Sequence, residues 1–102
     1  MSYFLTTTLR ELKRMTALYE SYENQLSDLP KGSLRAKKQN GREYYYLTYR
    51  NDGKVISDYV GNNEKIIANL KEQIKRRKGI ETLLKGIKKD IALMNKVLEA
   101  VK

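Results

Sequence analysis

Near the N-terminus, apolar and part-apolar positions recur in alternating steps of three and four: Leu5, Thr8, Leu12, Met15, Tyr19, Tyr22, Leu26 and Leu29. That spacing keeps one stripe on one side of an α-helix and predicts a helix over about 8–28 with a heptad-like seam. Thr8-Leu9-Arg10-Glu11 fits a capping box, in which Thr8 would accept from the Glu11 amide and Glu11 would reach back. The seam already begins at Leu5, which points instead to a start near Ser2. Either helix should stop before Pro30, because proline disfavours helical geometry in the residue preceding it.

A second helical pattern runs over about 63–101. Its stripe is Ile67, Leu70 and Ile74, then Ile80, Leu84, Ile87, Ile91, Met94, Leu98 and Val101. Around Arg77 two consecutive steps of three interrupt the alternation, so Arg77 itself occupies a seam position inside the basic run Lys75-Arg76-Arg77-Lys78. Such an irregularity overwinds a coiled coil locally or marks where a helix leaves one partner for another. A helix of about 39 residues would reach nearly 60 Å at roughly 1.5 Å per residue, about twice the first helix. The stripe beyond Arg77 therefore calls for further cover, and a second copy of the chain is the simplest. Leu84, Ile87, Ile91, Met94 and Leu98 are the candidate self-association residues.

Between the helices the period changes to two. Asn40-Gly41 is a two-residue hairpin signal and Asn51-Asp52-Gly53 supplies a second turn, giving strands over about 34–39, 42–50 and 54–60. The expected fold is α+β and a single domain: a short N-terminal helix, a three-stranded antiparallel β-meander and a long, coiled-coil-like C-terminal helix. A tight turn at Asn40-Gly41 sets Arg35 opposite Tyr46, Ala36 opposite Tyr45 and Leu34 opposite Leu47. Alternation then separates two faces. One holds Leu34, Ala36, Tyr45, Leu47 and Tyr49, suited to packing on helices; the other holds Arg35, Lys37, Tyr44, Tyr46, Thr48 and Arg50. The third strand stays open, since a three-residue loop and a two-residue turn put its side chains on opposite faces.

Charge gives that second face its interest. Lys and Arg number 21 against 12 acids, and the chain carries net +9. Residues 1–30 sum to −1, residues 31–61 to +4 and residues 62–102 to +6, so the excess lies in the sheet and the second helix. A basic bias of this size favours an anionic partner. Exposed rings interleaved with cations suit nucleic acid, the rings stacking on bases and the cations neutralising phosphates. The candidate nucleic-acid residues are Arg35, Lys37, Tyr44, Tyr46 and Arg50, with Lys75, Arg76, Arg77 and Lys78 assisting; DNA and RNA both remain open. Cross-strand ring and cation–π pairs that merely stabilise an exposed sheet are the plainer reading. With no cysteine and no histidine, thiolate zinc sites and Ser–His or Cys–His catalysis have no residues to build on. The expectation is a non-enzymatic protein with no metal and no cofactor. No run approaches 18 apolar residues and the first residues lack a signal-peptide profile, so a cytoplasmic location is expected. The alternative function is a helical interaction or assembly protein, such as a chaperone-like adaptor.

The segment from Gly41 to Ile66 carries a resemblance. Its tyrosine-rich strand, Gly-Lys turn and Ser-x-Tyr-Val-Gly ending rest on Tyr44, Tyr45, Tyr46, Leu47, Tyr49, Arg50, Gly53, Lys54, Tyr59, Val60 and Gly61. It resembles the hairpin signature of a small, uncharacterised bacterial family. It also looks like hairpins near the start of some insertion-sequence transposases and in other mobile-element DNA-binding proteins, which implies DNA association. The flanking helices depart from transposases. In layout alone, helix, small β-meander and helix is similar to prefoldin-like chaperone subunits, although the helices are unequal and the strand count differs.

Overall fold

The structure, a computed structural model, describes residues 2–101. Its elements are α1 (Tyr3–Ser27), β1 (Ser33–Gln39), β2 (Arg42–Asn51), β3 (Lys54–Gly61) and α2 (Glu64–Ala100). This is the α+β succession expected from the periodicities. Contacts gather the chain into two compact units, Leu29–Lys78 and the remainder on either side of it. The boundary in α2 falls just past Arg77, where the apolar stripe breaks step, so that irregularity does mark a change of packing partner.

The first unit pairs α1 with the second half of α2. The helix begins at Tyr3, the earlier of the two expected starts and not residue 8, because Ser2 is extended and its Oγ accepts the Leu5 amide at 3.1 Å. Thr8 sits inside the helix, where no orphan amide remains for it, and its hydroxyl donates back to the Phe4 carbonyl at 2.8 Å. Glu11 turns to Arg14 instead, at 2.6 Å, and the hydrogen bond from Arg14 holds its carboxyl below the ordinary range. No capping box forms. The helix ends at Ser27, with the Asp28 amide donating to Gln25 and Leu26, ahead of Pro30 as expected.

Met15 is buried on α1, and Ile80, Leu84 and Ile87 are buried on α2. Leu5, Leu9 and Leu12 line one cleft with Asn95, Leu98 and Val101, while Glu11 and Met15 line another with Asp90, Leu93 and Met94. The helices therefore run antiparallel. Within one chain α1 thus lies along the part of the stripe for which a second copy was expected, and Ile91, Met94 and Leu98 stay half-buried there.

In the second unit the strands form a sheet of order β1-β2-β3, antiparallel throughout. Both turns have positive φ at both central residues: Asn40 at 54° and Gly41 at 80°, Asp52 at 51° and Gly53 at 77°. Such turns match the right-handed twist of the strands they join. They set Gln39 against Arg42 and Asn51 against Lys54. The β1–β2 register is the one expected. For β3 the tighter turn wins, because Asp52 tolerates the left-handed conformation and Asn51 stays paired. A β-bulge at Val60, where Tyr46 meets Tyr59 but Tyr45 meets Gly61, breaks the pairing near the end of β3.

α2 then opens at Asn63, whose Oδ1 accepts from the Lys65 and Ile66 amides at 3.0 and 3.2 Å. Its first turns bury Ile67 and Ile74. At the other end of the unit Gly32, at φ +105°, brings the chain over β2; a Cβ there would lie 2.2 Å from the Thr48 carbonyl oxygen. Gly32→Ala is therefore expected to cost about 3 kcal/mol or more in urea unfolding. Gly41→Ala, which meets nothing within 4 Å, should cost about 1–2 kcal/mol. Equal costs would contradict the crowding at Gly32.

Candidate functional site

Directly opposed residues of an antiparallel sheet share a face, so the register assigns the strand side chains up to the bulge at Val60. On one face stand Ser33, Arg35, Lys37 and Gln39 of β1, Arg42, Tyr44, Tyr46, Thr48 and Arg50 of β2, and Val55, Ser57 and Tyr59 of β3. The structure thus brings Arg35, Lys37, Tyr44, Tyr46 and Arg50 together. It adds Arg42 and Tyr59, which the sequence reading did not include. Arg42 follows from the parity that gives Tyr44 and Tyr46; Tyr59 could be found only once the second turn's length was known.

The rings on this face touch. The Tyr46 and Tyr59 centroids lie 5.4 Å apart, edge to face, and those of Tyr44 and Tyr59 lie 6.3 Å apart. Lys37 Nζ sits 5.0 Å from the Tyr46 centroid, a cation–π distance. Tyr44 and Tyr46 are half-buried, whereas Tyr59 is 62% and Val55 64% exposed. The Thr48 and Ser57 hydroxyls, 3.4 Å apart, add a polar pair at the middle. Arg35, Lys37, Arg42 and Arg50 give the face four cations, and no carboxylate projects from it.

The opposite face is built differently. It carries Leu34, Ala36, Tyr45, Leu47, Tyr49 and Ile56, and it takes both strand carboxylates, Glu43 and Asp58. This is the face that meets α2: Lys71 Nζ lies 5.4 Å from the Tyr45 centroid, and Tyr45, Ile67 and Ala68 line one depression. Tyr49 donates to Asp58 Oδ2 at 2.9 Å. That bond, with desolvation and the Asp58 charge behind it, raises the Tyr49 pKa above the usual phenol value. The neutral phenol is the form the fold favours, so this contribution is present at neutral pH and lost as pH rises through the raised value.

The basic run of α2 does not join the ring face. Lys75 and Lys78 line a groove with Ser33, Leu34, Lys71 and Ile74, on the side of the sheet that meets α2. Arg76 is exposed. Arg77 is part-buried and its Nη1 donates to the Leu29 carbonyl at 2.7 Å, tying α2 to the chain that leads into β1. This explains a cation in an apolar stripe: it satisfies a main-chain carbonyl of the loop that precedes β1. Of the seam residues, Leu84 and Ile87 are buried and Ile91, Met94 and Leu98 are half-buried in the first unit. Among the described residues no cluster of carboxylates gathers as metal ligands would, and no helix is long and apolar enough to cross a membrane.

Asp58→Ala should move the Tyr49 titration to lower pH, read by ring-carbon NMR; an unchanged titration would contradict the bond's role. Arg77→Ala should lower stability by about 1.5–3 kcal/mol, whereas exposed Arg76→Ala should stay within about 0.5 kcal/mol. Similar costs in chemical denaturation would count against the Arg77 tie.

A family model described as "Domain of unknown function (DUF6788)" matches residues 8–72, and the chain belongs to that family. The matched stretch holds the whole sheet and ends in the first turns of α2. No curated protein and no solved structure matches the chain.

Proposed function

We propose that this member of the DUF6788 family is a non-enzymatic protein that binds single-stranded nucleic acid on the ring-bearing face of its sheet. The observation that carries the reading is the sorting of charge. Four cations and three touching tyrosines share one face with no carboxylate, while Glu43 and Asp58 fall on the other. A solvated sheet has no need to exclude acids from one face. A polyanion does, because a carboxylate among phosphates costs attraction at every salt concentration.

The division of labour follows from the chemistry. Tyr59 offers the most exposed ring for stacking. Tyr44 and Tyr46 brace it and offer flanking rings, and Arg35, Lys37, Arg42 and Arg50 neutralise phosphates along the strand. The likeness of this hairpin to those of mobile-element DNA-binding proteins points the same way. Lys75 and Lys78, on the helix side, add to the long-range field rather than to the stack. The assembly alternative draws less support, since α1 already covers much of the α2 seam that would hold a partner. On this reading the protein acts in the cytoplasm without metal or organic cofactor.

Titration against labelled single-stranded oligonucleotides over a salt series tests the proposal. With one phosphate neutralised by each of the four cations, the logarithm of the binding constant should fall with log salt at a slope of about −3. Tyr44→Ala with Tyr46→Ala should weaken binding roughly 5–150-fold, at about 1–3 kcal/mol for a lost stack, with the far-UV spectrum retained. Absence of binding at low salt, or binding indifferent to salt, would overturn it.

A further inference from the structure

The sheet has two outer edges, and they are chemically unlike. The β1 edge carries Arg35, Lys37 and Lys38, cations that discourage another strand from adding there. From Val55 to Gly61 the β3 edge has no lysine or arginine, and it exposes Val55 and Tyr59, both more than half accessible.

The register also says which peptide groups this edge presents. Asn51 and Lys54 close a two-residue turn, so they exchange hydrogen bonds; bonding then alternates along the ladder. Ile56 and Asp58 bond to Tyr49 and Leu47 of β2, and the N–H and C=O groups of Val55, Ser57 and Tyr59 point outward. The β-bulge after Tyr59 ends this regular row.

We propose that β3 pairs antiparallel with the β3 of a second copy of the chain, about a two-fold axis at Ser57. A two-fold there places Ser57 opposite itself and Val55 opposite the partner's Tyr59, so all three outward residues become hydrogen-bonded pairs in one register. On the ring-bearing face the exposed Val55 is covered by an exposed ring. On the other face Ile56 meets the partner's Asp58, and no two like charges stand directly opposed. Pairing through β1 would instead set its arginine and lysines against each other. The resulting six-stranded sheet makes the two ring-bearing faces one continuous surface. This inference does not rest on the nucleic-acid reading, and it uses an edge rather than the α2 seam.

The chain has no cysteine, so single-cysteine variants report the register without background. Cα atoms of a hydrogen-bonded antiparallel pair lie about 5.5 Å apart, inside the roughly 4.4–6.8 Å that a disulfide spans. Ser57→Cys should therefore form a disulfide dimer under mild oxidation. Val55→Cys, separated from its copy by about 13 Å along the strands, should cross-link at least tenfold more slowly. In sedimentation velocity the wild type and Ser57→Ala should show a reversible dimer. Ser57→Lys, which sets two lysines face to face, should dissociate at least tenfold more readily with an unchanged far-UV spectrum. A monomer at all concentrations without Ser57→Cys cross-linking, a dimer that Ser57→Lys leaves intact, or Val55→Cys cross-linking as fast as Ser57→Cys would each overturn the proposal.

Discussion

The pairing register of the middle strand is the constraint from which the sheet's chemistry follows. Two turns with positive φ, at Asn40-Gly41 and Asp52-Gly53, lock β2 between its neighbours with alternate side chains facing opposite ways. A slip of one residue would carry Tyr44, Tyr46 and their cations to the helix side and turn Tyr45, Leu47 and Tyr49 out to water. Contacts on the helix side resist that slip, since Tyr45 lies under Lys71 and beside Ile67, and Tyr49 is bonded to Asp58. The adjacent tyrosines at 44, 45 and 46 thus serve two purposes by parity alone.

Around that sheet the chain uses close approach rather than bulk. Gly32 lets the backbone pass over Thr48 where a side chain could not fit, and Arg77 reaches from α2 to the Leu29 carbonyl just upstream. These fix the segment that feeds β1. The buried side chains are few and aliphatic, with Ile67 and Ile74 in this unit and Met15, Ile80, Leu84 and Ile87 in the other. α2 serves both, and its stripe breaks step at the residue that makes the polar tie.

Much of this was legible in the residues because local rules and global packing agree. Asn-Gly admits one tight turn, so the β1–β2 register followed at once, and the two helical stripes gave α1 and α2. The misses have definite causes. Asn51-Asp52-Gly53 is compatible with two loop lengths, and only pairing with β2 chooses between them, which hid Tyr59. Thr8 and Glu11 have capping-box spacing, but Ser2 had already capped the helix. Arg77 stood out as a cation at a seam position and was grouped with the assisting cations of its run, because sequence carries no trace of the carbonyl it satisfies.

The most direct measurement is site-resolved NMR of the tyrosine rings during addition of a single-stranded oligonucleotide at low salt. The account predicts that the ring signals of Tyr44, Tyr46 and Tyr59 shift as bases stack on them, while those of Tyr45 and Tyr49 stay in place. Shifts of equal size at Tyr45 and Tyr49, or no shift at any of the five rings, would contradict it.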